Sequence, residues 1–230
     1  MVDLLAVGVH PDDIELGAGG AVAELVRTGK SVALLDLTNG EPTPNGSPEI
    51  RKKETQKANE ILNVKKRIQL DFKNREVFDS QDGRKKIAEQ YRLLRPKLLL
   101  LPYWEDAHPD HVQASEMAHA ARFIAKYTKT DMEGEPFYPP RVLFYLCIHL
   151  RKMVRPSVIL DISKTIDQKL EALRAYQSQF FVGDGKNGEE FIERSKNRAA
   201  YYGSLISVGH GEPFVSREEI GIRSFDAILP

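Results

Sequence analysis

Two short motifs place histidine and aspartate side chains close together in this chain of 230 residues. The first is His10–Asp13 (HPDD) and the second is His108–His111 (HPDH). Two imidazoles and one carboxylate form the ligand set of a hydrolytic zinc site, in which a fourth position stays open for water or substrate. The motifs therefore predict a metal centre that hydrolyses an amide, although Fe²⁺, Co²⁺ or Mn²⁺ would also fit these donors.

The residues within the motifs can divide the catalytic tasks. Of Asp12 and Asp13, one carboxylate is expected to bind the metal and the other to take a proton from the attacking water. His111 lies nearest the start of the following helix and can reach the metal. His108 is expected to stabilise the charge of the tetrahedral intermediate when protonated. In that scheme Asp110 holds the imidazole of His108 and raises the pKa of that ring.

Each motif alone also has a structural interpretation. Asp13 or Asp110 could cap a helix N-terminus, and single histidines are commonly hydrogen-bonded surface residues. Both motifs together, each following a predicted strand, favour the metal site. The stretch Leu16–Gly20 (LGAGG) lacks the G-x-G-x-x-G spacing, which argues against a nicotinamide cofactor. We expect its glycines to form a tight turn that lets the first helix pack on the sheet.

The elements that must position these motifs follow a repeated strand and helix pattern. Nearly continuous apolar runs predict parallel strands covered on both faces; they are Leu4–Val9, Val32–Leu37, Arg67–Phe72 and Leu98–Pro102. Amphipathic stretches predict helices at Ala21–Arg27, Arg51–Leu62, Asp82–Leu94 and Val112–Tyr127. The C-terminal part is expected to hold strands at Val142–Ile148 and Ser157–Ile162, helices at Lys164–Gln177 and Glu190–Leu205, and a surface loop at Gly183–Gly188.

This pattern predicts the α/β class, with a Rossmann-like, mostly parallel sheet flanked by helices and a smaller C-terminal appendage. We expect one domain over residues 1–230, with a core at about 1–128 and a C-terminal part at about 140–230. With the strand order 3-2-1-4, the first and fourth strands are neighbours. Their carboxyl ends would then bring both motifs to one crevice, where open α/β sheets bind their ligands.

Composition narrows the class of partner. The chain has 33 basic and 33 acidic residues, and this balance argues against a nucleic-acid partner, because phosphate contacts need a basic excess. A small-molecule substrate is expected instead. No signal peptide, membrane span or membrane partner is expected from the apolar runs. The single cysteine, Cys147, excludes an intrachain disulfide and is consistent with a cytoplasmic location.

The two motifs and several longer stretches resemble the LmbE/PIG-L family of zinc-dependent N-acetylglucosamine deacetylases. The stretches are Leu37–Glu41 (LTNGE), Pro48–Glu54 (PEIRKKE), Arg95–His111 (RPKLLLLPYWEDAHPDH), Leu170–Phe180 (LEALRAYQSQF) and Arg198–Glu218 (RAAYYGSLISVGHGEPFVSRE). Within the family, they resemble the branch of bacillithiol-biosynthesis deacetylases. The resemblance covers nearly the whole chain.

The resemblance implies a role for each residue of the motifs. Zn²⁺ would be held by His10, Asp13 and His111. Asp12 would be the general base, and His108 with Asp110 would be the charge-stabilising pair.

Further expectations come from the same resemblance. Arg51 would bind the substrate, and Arg141 would help. The implied substrate is N-acetylglucosaminyl malate, and members of the family often form hexamers through their C-terminal portions. Two alternatives stay open. The chain could deacetylate another N-acetyl amino sugar, such as a chitooligosaccharide or a mycothiol-type conjugate, or it could be a non-catalytic Rossmann-like module that binds a sugar or nucleotide.

Overall fold

Strands and helices alternate along the computed structural model, which describes residues 1–147, 149–183, 185–222 and 224. The strands are β1 (Leu4–Gly8), β2 (Val32–Thr38), β3 (Lys66–Phe72), β4 (Leu98–Pro102), β5 (Val142–Tyr145), β6 (Val158–Asp161) and β7 (Gly211–Val215). The helices are α1 (Asp13–Arg27), α2 (Pro48–Leu62), α3 (Gln81–Leu94), α4 (Pro109–Ile124), α5 (Ile166–Arg174), α6 (Gln177–Phe180) and α7 (Lys186–Ser204). Of the described helices, none is both long enough and apolar enough to cross a membrane.

The strands form one mixed sheet in the order β3-β2-β1-β4-β5-β7-β6. The first five strands of this order run parallel, and β7 is antiparallel to both β5 and β6. The predicted α/β class and the predicted neighbourhood of the first and fourth strands are therefore confirmed. The order reverses between β1 and β4, so a crevice forms at their carboxyl ends.

Apolar side chains fill the space on both faces of the sheet. Both β1 and β2 are buried along their whole length. Alternate residues point to opposite faces, so Leu5 joins the core that contains Tyr91 and Met117, while Leu4 joins the core that contains Ile14. Full burial of one such aliphatic side chain stabilises the fold by roughly 1.5–3 kcal/mol. The two cores fix the strand ends that carry the motifs.

Helix α1 begins earlier than the sequence predicts. The expected turn at Leu16–Gly20 is wrong, because α1 starts at Asp13 and contains these glycines. A Cβ atom on Gly17 would lie 2.2 Å from the ring of Tyr145, and one on Gly20 would lie 2.6 Å from Ile162. The glycines thus serve close packing of the helix on the sheet, as expected, but without a turn.

The C-terminal part extends the sheet. Strand β5 ends at Tyr145, short of the predicted Val142–Ile148, and Ile148 lies outside the described residues. The predicted loop Gly183–Gly188 includes Asp184, which also lies outside them, and α7 already begins at Lys186. Strand β7 was not predicted. Its buried Glu212 accepts hydrogen bonds from the backbone N–H groups of Gly20 and Ala21, which ties the sheet to α1.

Candidate active site

Both motifs lie at the crevice between β1 and β4. The loop after β1 carries His10 to Asp13, and the segment after β4 leads through Asp106 to His111 in the first turn of α4. His10 and His111 stand 101 positions apart, yet their ring centroids are 5.3 Å apart. The parallel pairing of β1 with β4 explains this approach.

His10, Asp13 and His111 bring two ring nitrogens and a carboxylate close together. His111 Nε2 lies 3.4 Å from both His10 Nδ1 and Asp13 Oδ1, and His10 Nδ1 lies 3.5 Å from Asp13 Oδ2. Zinc bonds of about 2.1 Å in a tetrahedron separate neighbouring ligand atoms by about 3.4 Å. All three residues are buried and form a group that could hold a metal ion. The donor set and its spacing therefore fit Zn²⁺.

The backbone fixes the carboxylate of this group. Asp13 Oδ2 accepts hydrogen bonds from the N–H groups of Val9, at 3.1 Å, and His10, at 2.8 Å. The other oxygen, Oδ1, faces His111. Asp13 is the first residue of α1, but its carboxylate accepts from backbone N–H groups that precede the helix, so it does not cap α1.

The electrostatics of the group favour a cation. Burial lowers the pKa values of both imidazoles, but the facing carboxylates outweigh it and raise the pKa of His10 to about 9 and that of His111 to about 10. Burial raises the pKa of Asp13, yet His111 and His10 hold it well below the usual range. The carboxylates therefore attract positive charge, which a divalent cation supplies in place of the protons.

Asp106 supports His111 from behind. Its side chain is fully buried, and its Oδ2 lies 2.7 Å from His111 Nδ1. The same carboxylate accepts a hydrogen bond of 2.7 Å from the backbone N–H of His149 and lies 3.1 Å from Nδ1 of that ring. This contact places Nδ1 of His111 against the Asp106 carboxylate and leaves Nε2 facing the donor group. The sequence analysis missed Asp106, although it lies two residues before the second motif.

Asp12 lies beside the donor group and is held by Arg51. Its backbone has a φ of 123°, a strained conformation for a residue with a side chain. Helix α2, capped by Ser47, places Arg51 so that Nη1 donates to Asp12 Oδ2 and to the carbonyl of Pro11, each at 2.8 Å, while Nε lies 3.4 Å from Glu41. Burial raises the pKa of Asp12 to about 7, against the opposing charge of Arg51.

His108 and Asp110 are arranged differently from the sequence expectation. The backbone N–H of Asp110 donates to His108 Nδ1 at 3.2 Å, so the ring caps helix α4. The Asp110 carboxylate instead accepts from the N–H of Arg75 at 2.7 Å and lies 3.7 Å from His10 Nε2. Burial and the neighbouring imidazoles lower the pKa of His108, whereas the sequence predicted an increase. Its neutral form carries the ring proton on Nε2.

These side chains open into a cavity of 420 Å³. Its walls include Asp12, Arg51, Arg75, His149 and the three residues of the donor group, as well as His108. Arg75 and His149 are exposed at this wall. Arg75 could not be predicted from the sequence, because it lies in a polar loop without a motif.

Arg141 is not brought to the cavity. It precedes β5 at the amino end of the parallel strands, and its guanidinium donates to the carbonyl of Gly221 at 2.9 Å. Three other side chains that carry rings also lie away from the cavity. Trp104 packs edge-on against Phe144, His119 contacts the same ring, and His210 hydrogen-bonds to Ser163.

Comparisons with known proteins agree with this geometry. Residues 5–122 match the family model PIG-L, described as GlcNAc-PI de-N-acetylase. The chain is 31% identical to the diacetylchitobiose deacetylase of Thermococcus kodakarensis, over 91% of this chain and 80% of the relative. It is 29% identical to a probable N-acetyl-α-D-glucosaminyl L-malate deacetylase 2 of Bacillus cereus, over 76% and 83%.

A solved structure shows the same fold over nearly the full length. It is that of a conserved protein from Thermus thermophilus, with a TM-score of 0.88 and 40% identity over 96% of this chain and 97% of that one. The family model covers more than half of the 230 residues and includes both motifs. The chain therefore belongs to the PIG-L family and is a hydrolytic N-deacetylase.

Proposed function

We propose that this enzyme removes the acetyl group from N-acetylglucosaminyl malate, releasing acetate and the free amine. The observation that carries the proposal is the convergence of a zinc-spaced donor group and the carboxylate of Asp12 on one cavity. A relative with this substrate in its name aligns over three quarters of the chain. A cytoplasmic location, the absence of nucleic-acid and membrane partners, and assembly into a homo-oligomer such as a hexamer remain predictions from the sequence.

The proposed cofactor is Zn²⁺, held by His10, Asp13 and His111. When bound, it would polarise the acetyl carbonyl and acidify a water molecule. The three residues contribute the geometry, because the backbone holds Asp13 and the carboxylate of Asp106 orients His111. Asp106 is a positioning residue in this scheme.

Asp12 is the proposed general base. Oδ2 accepts from Arg51, and no hydrogen bond engages Oδ1 among the described residues. The free oxygen can take a proton from the attacking water and then deliver it to the departing amine nitrogen. In the metal-free protein, burial raises the pKa of Asp12 to about 7, so its carboxyl can both accept and release a proton near neutral pH.

His108 is the proposed donor to the oxygen of the tetrahedral intermediate. Because Nδ1 accepts from the backbone N–H of Asp110, the proton of the neutral ring lies on Nε2. A neutral imidazole can donate this hydrogen bond without being protonated. Asp110 contributes by fixing the ring through its backbone and by placing its carboxylate near His10.

Asp106→Asn should weaken zinc binding by about 10- to 100-fold, because the amide removes the negative charge that orients and polarises His111. Competition with a chromogenic chelator would measure the dissociation constant. Glu105→Gln is the matched control, since its carboxylate is exposed and pairs with Lys152. Equal zinc affinity of the Asp106→Asn variant and the wild type would contradict the positioning role.

A second candidate substrate is an N-acetylated chitooligosaccharide. Its support is the 31% identity to a diacetylchitobiose deacetylase over 91% of the chain. A neutral disaccharide would also fit a cavity of this size.

Acetate release from three substrates decides between these candidates. The specificity constants for N-acetylglucosaminyl malate, diacetylchitobiose and free N-acetylglucosamine should be compared with the zinc-loaded enzyme. We expect the malate-linked sugar to be hydrolysed at least about tenfold more efficiently, which corresponds to one additional charged contact. A preference for diacetylchitobiose would overturn the malate assignment and support the second candidate.

A further inference from the structure

Two arginines line the cavity, and their guanidinium groups differ in the contacts that they make with other residues. Arg51 is only 3% exposed, and its Nε and Nη1 atoms already contact Glu41, Pro11 and Asp12. The guanidinium of Arg75 makes no hydrogen bond and no ion pair with any residue that the structure describes. Among the described residues of the cavity wall, Arg75 is therefore the cation whose whole guanidinium is available to a ligand.

The backbone around Arg75 is fixed, although its side chain is free. Its φ of 69° lies in the left-handed region, which is unfavourable for an arginine. Its N–H donates to Asp110 Oδ2 at 2.7 Å, and the preceding Asn74 donates from Nδ2 to the carbonyl of Gly40 at 2.8 Å. The loop between β3 and α3 is thus tied both to the second motif and to the loop after β2. This strained, anchored backbone holds Arg75 at the cavity wall.

Among the described residues, no carboxylate forms an ion pair with this guanidinium. The adjacent Glu76 lies 3.8 Å from Lys73, and Asp110 is engaged by the backbone of Arg75 itself. The exposed His149, which also lines the cavity, is a hydrogen-bonding group and not an acid. A free guanidinium at a cavity wall matches a carboxylate, which it binds through two parallel hydrogen bonds.

We propose that Arg75 binds an anionic group of the substrate, a carboxylate carried by the part attached to the amino sugar. This inference rests on the proposed deacetylase function and assigns its selectivity to one residue. Arg75 lies outside the donor group and the base, so it contributes to binding of the acidic substituent and not to bond cleavage.

The test compares Arg75→Gln with wild type on N-acetylglucosaminyl malate and on free N-acetylglucosamine. We expect KM for the malate-linked sugar to rise about 10- to 100-fold, with kcat nearly unchanged. The reason is that the variant loses a charged hydrogen bond that contributes equally to the ground state and the transition state. The kcat/KM for the free sugar should stay within about twofold of wild type. Arg75→Lys should recover part of the lost affinity, because it restores the charge without the bidentate geometry.

Lys73→Gln is the matched control, because it removes a positive charge from the same loop at a side chain that is 79% exposed and outside the cavity wall. N-acetylglucosamine 1-phosphate adds a second anionic substrate. A larger effect of Arg75→Gln on the phosphate than on the malate substrate would overturn the carboxylate assignment.

Other outcomes separate this inference from the proposed function. Equal losses on the charged and the uncharged sugar, or no loss on either, would overturn the role of Arg75 while leaving wild-type deacetylation intact. A wild-type enzyme that releases no acetate from any N-acetyl amino sugar would instead overturn the proposed function.

Discussion

Asp12→Asn should lower kcat for deacetylation by about 10²- to 10⁴-fold, the usual contribution of a general base. The amide is nearly isosteric and keeps an oxygen that can accept from Arg51, but it cannot take a proton from water. Asparagine also tolerates a positive φ better than most residues, so the strained backbone at this position should persist. The measurement is steady-state turnover, together with metal content and thermal melting of the same preparation.

Asp71→Asn is a suitable control for this experiment, since its exposed carboxylate pairs with Lys86 and does not line the cavity. The control should retain wild-type turnover. The pH profile gives a second readout. Because the base must be deprotonated, wild-type kcat/KM should fall as pH decreases through the pKa of Asp12, which burial raises. Near-normal turnover of Asp12→Asn with metal bound would exclude Asp12 as the base.

The sequence predicted the strands that carry the two motifs, and an assumed strand order of 3-2-1-4 predicted that the motifs meet. The strands β1, β2 and β4 are nearly continuous apolar runs, and such runs are characteristic of strands buried on both faces. The strand order then brought the motifs to one crevice, as observed. Residue types alone could not show whether Asp12 or Asp13 is the metal ligand. The structure separates their environments, because backbone N–H groups hold Asp13 and Arg51 holds Asp12.

Features that depend on contacts distant in sequence were missed. Strand β7 contains a proline and a buried glutamate, so its sequence lacks the alternation of a typical strand, and its pairing with β5 and β6 is long-range. Arg75 is held at the cavity wall by contacts distant in sequence, among them the hydrogen bond from its backbone N–H to Asp110, 35 positions away. Arg141 was assigned to substrate binding from the family resemblance alone. In the structure it lies at the end of the sheet opposite the cavity. No local sequence pattern indicates these contacts.

Removing the metal should abolish deacetylation, and restoring zinc should recover it. The protons on His10 and His111 must leave when the metal binds, because their pKa values are about 9 and about 10 in the metal-free protein. Metal affinity should therefore fall as the pH decreases. The ion should also stabilise the fold, by about 2.7 kcal/mol when its free concentration is 100 times the dissociation constant. Dialysis against a chelator, followed by activity and melting measurements, checks both effects.

Two histidine variants identify the residues that hold the ion. His111→Ala should lose the metal, since it removes a donor from the group with 3.4 Å spacings. His149→Ala should keep one ion per chain. Asp106, His111 and His149 form a second group of potential ligands, but the 2.7 Å between Asp106 Oδ2 and His111 Nδ1 is a hydrogen-bond distance, shorter than the spacing of two ligands on one zinc. Loss of the ion from His149→Ala would place it in the second group and contradict the assignment of His10, Asp13 and His111.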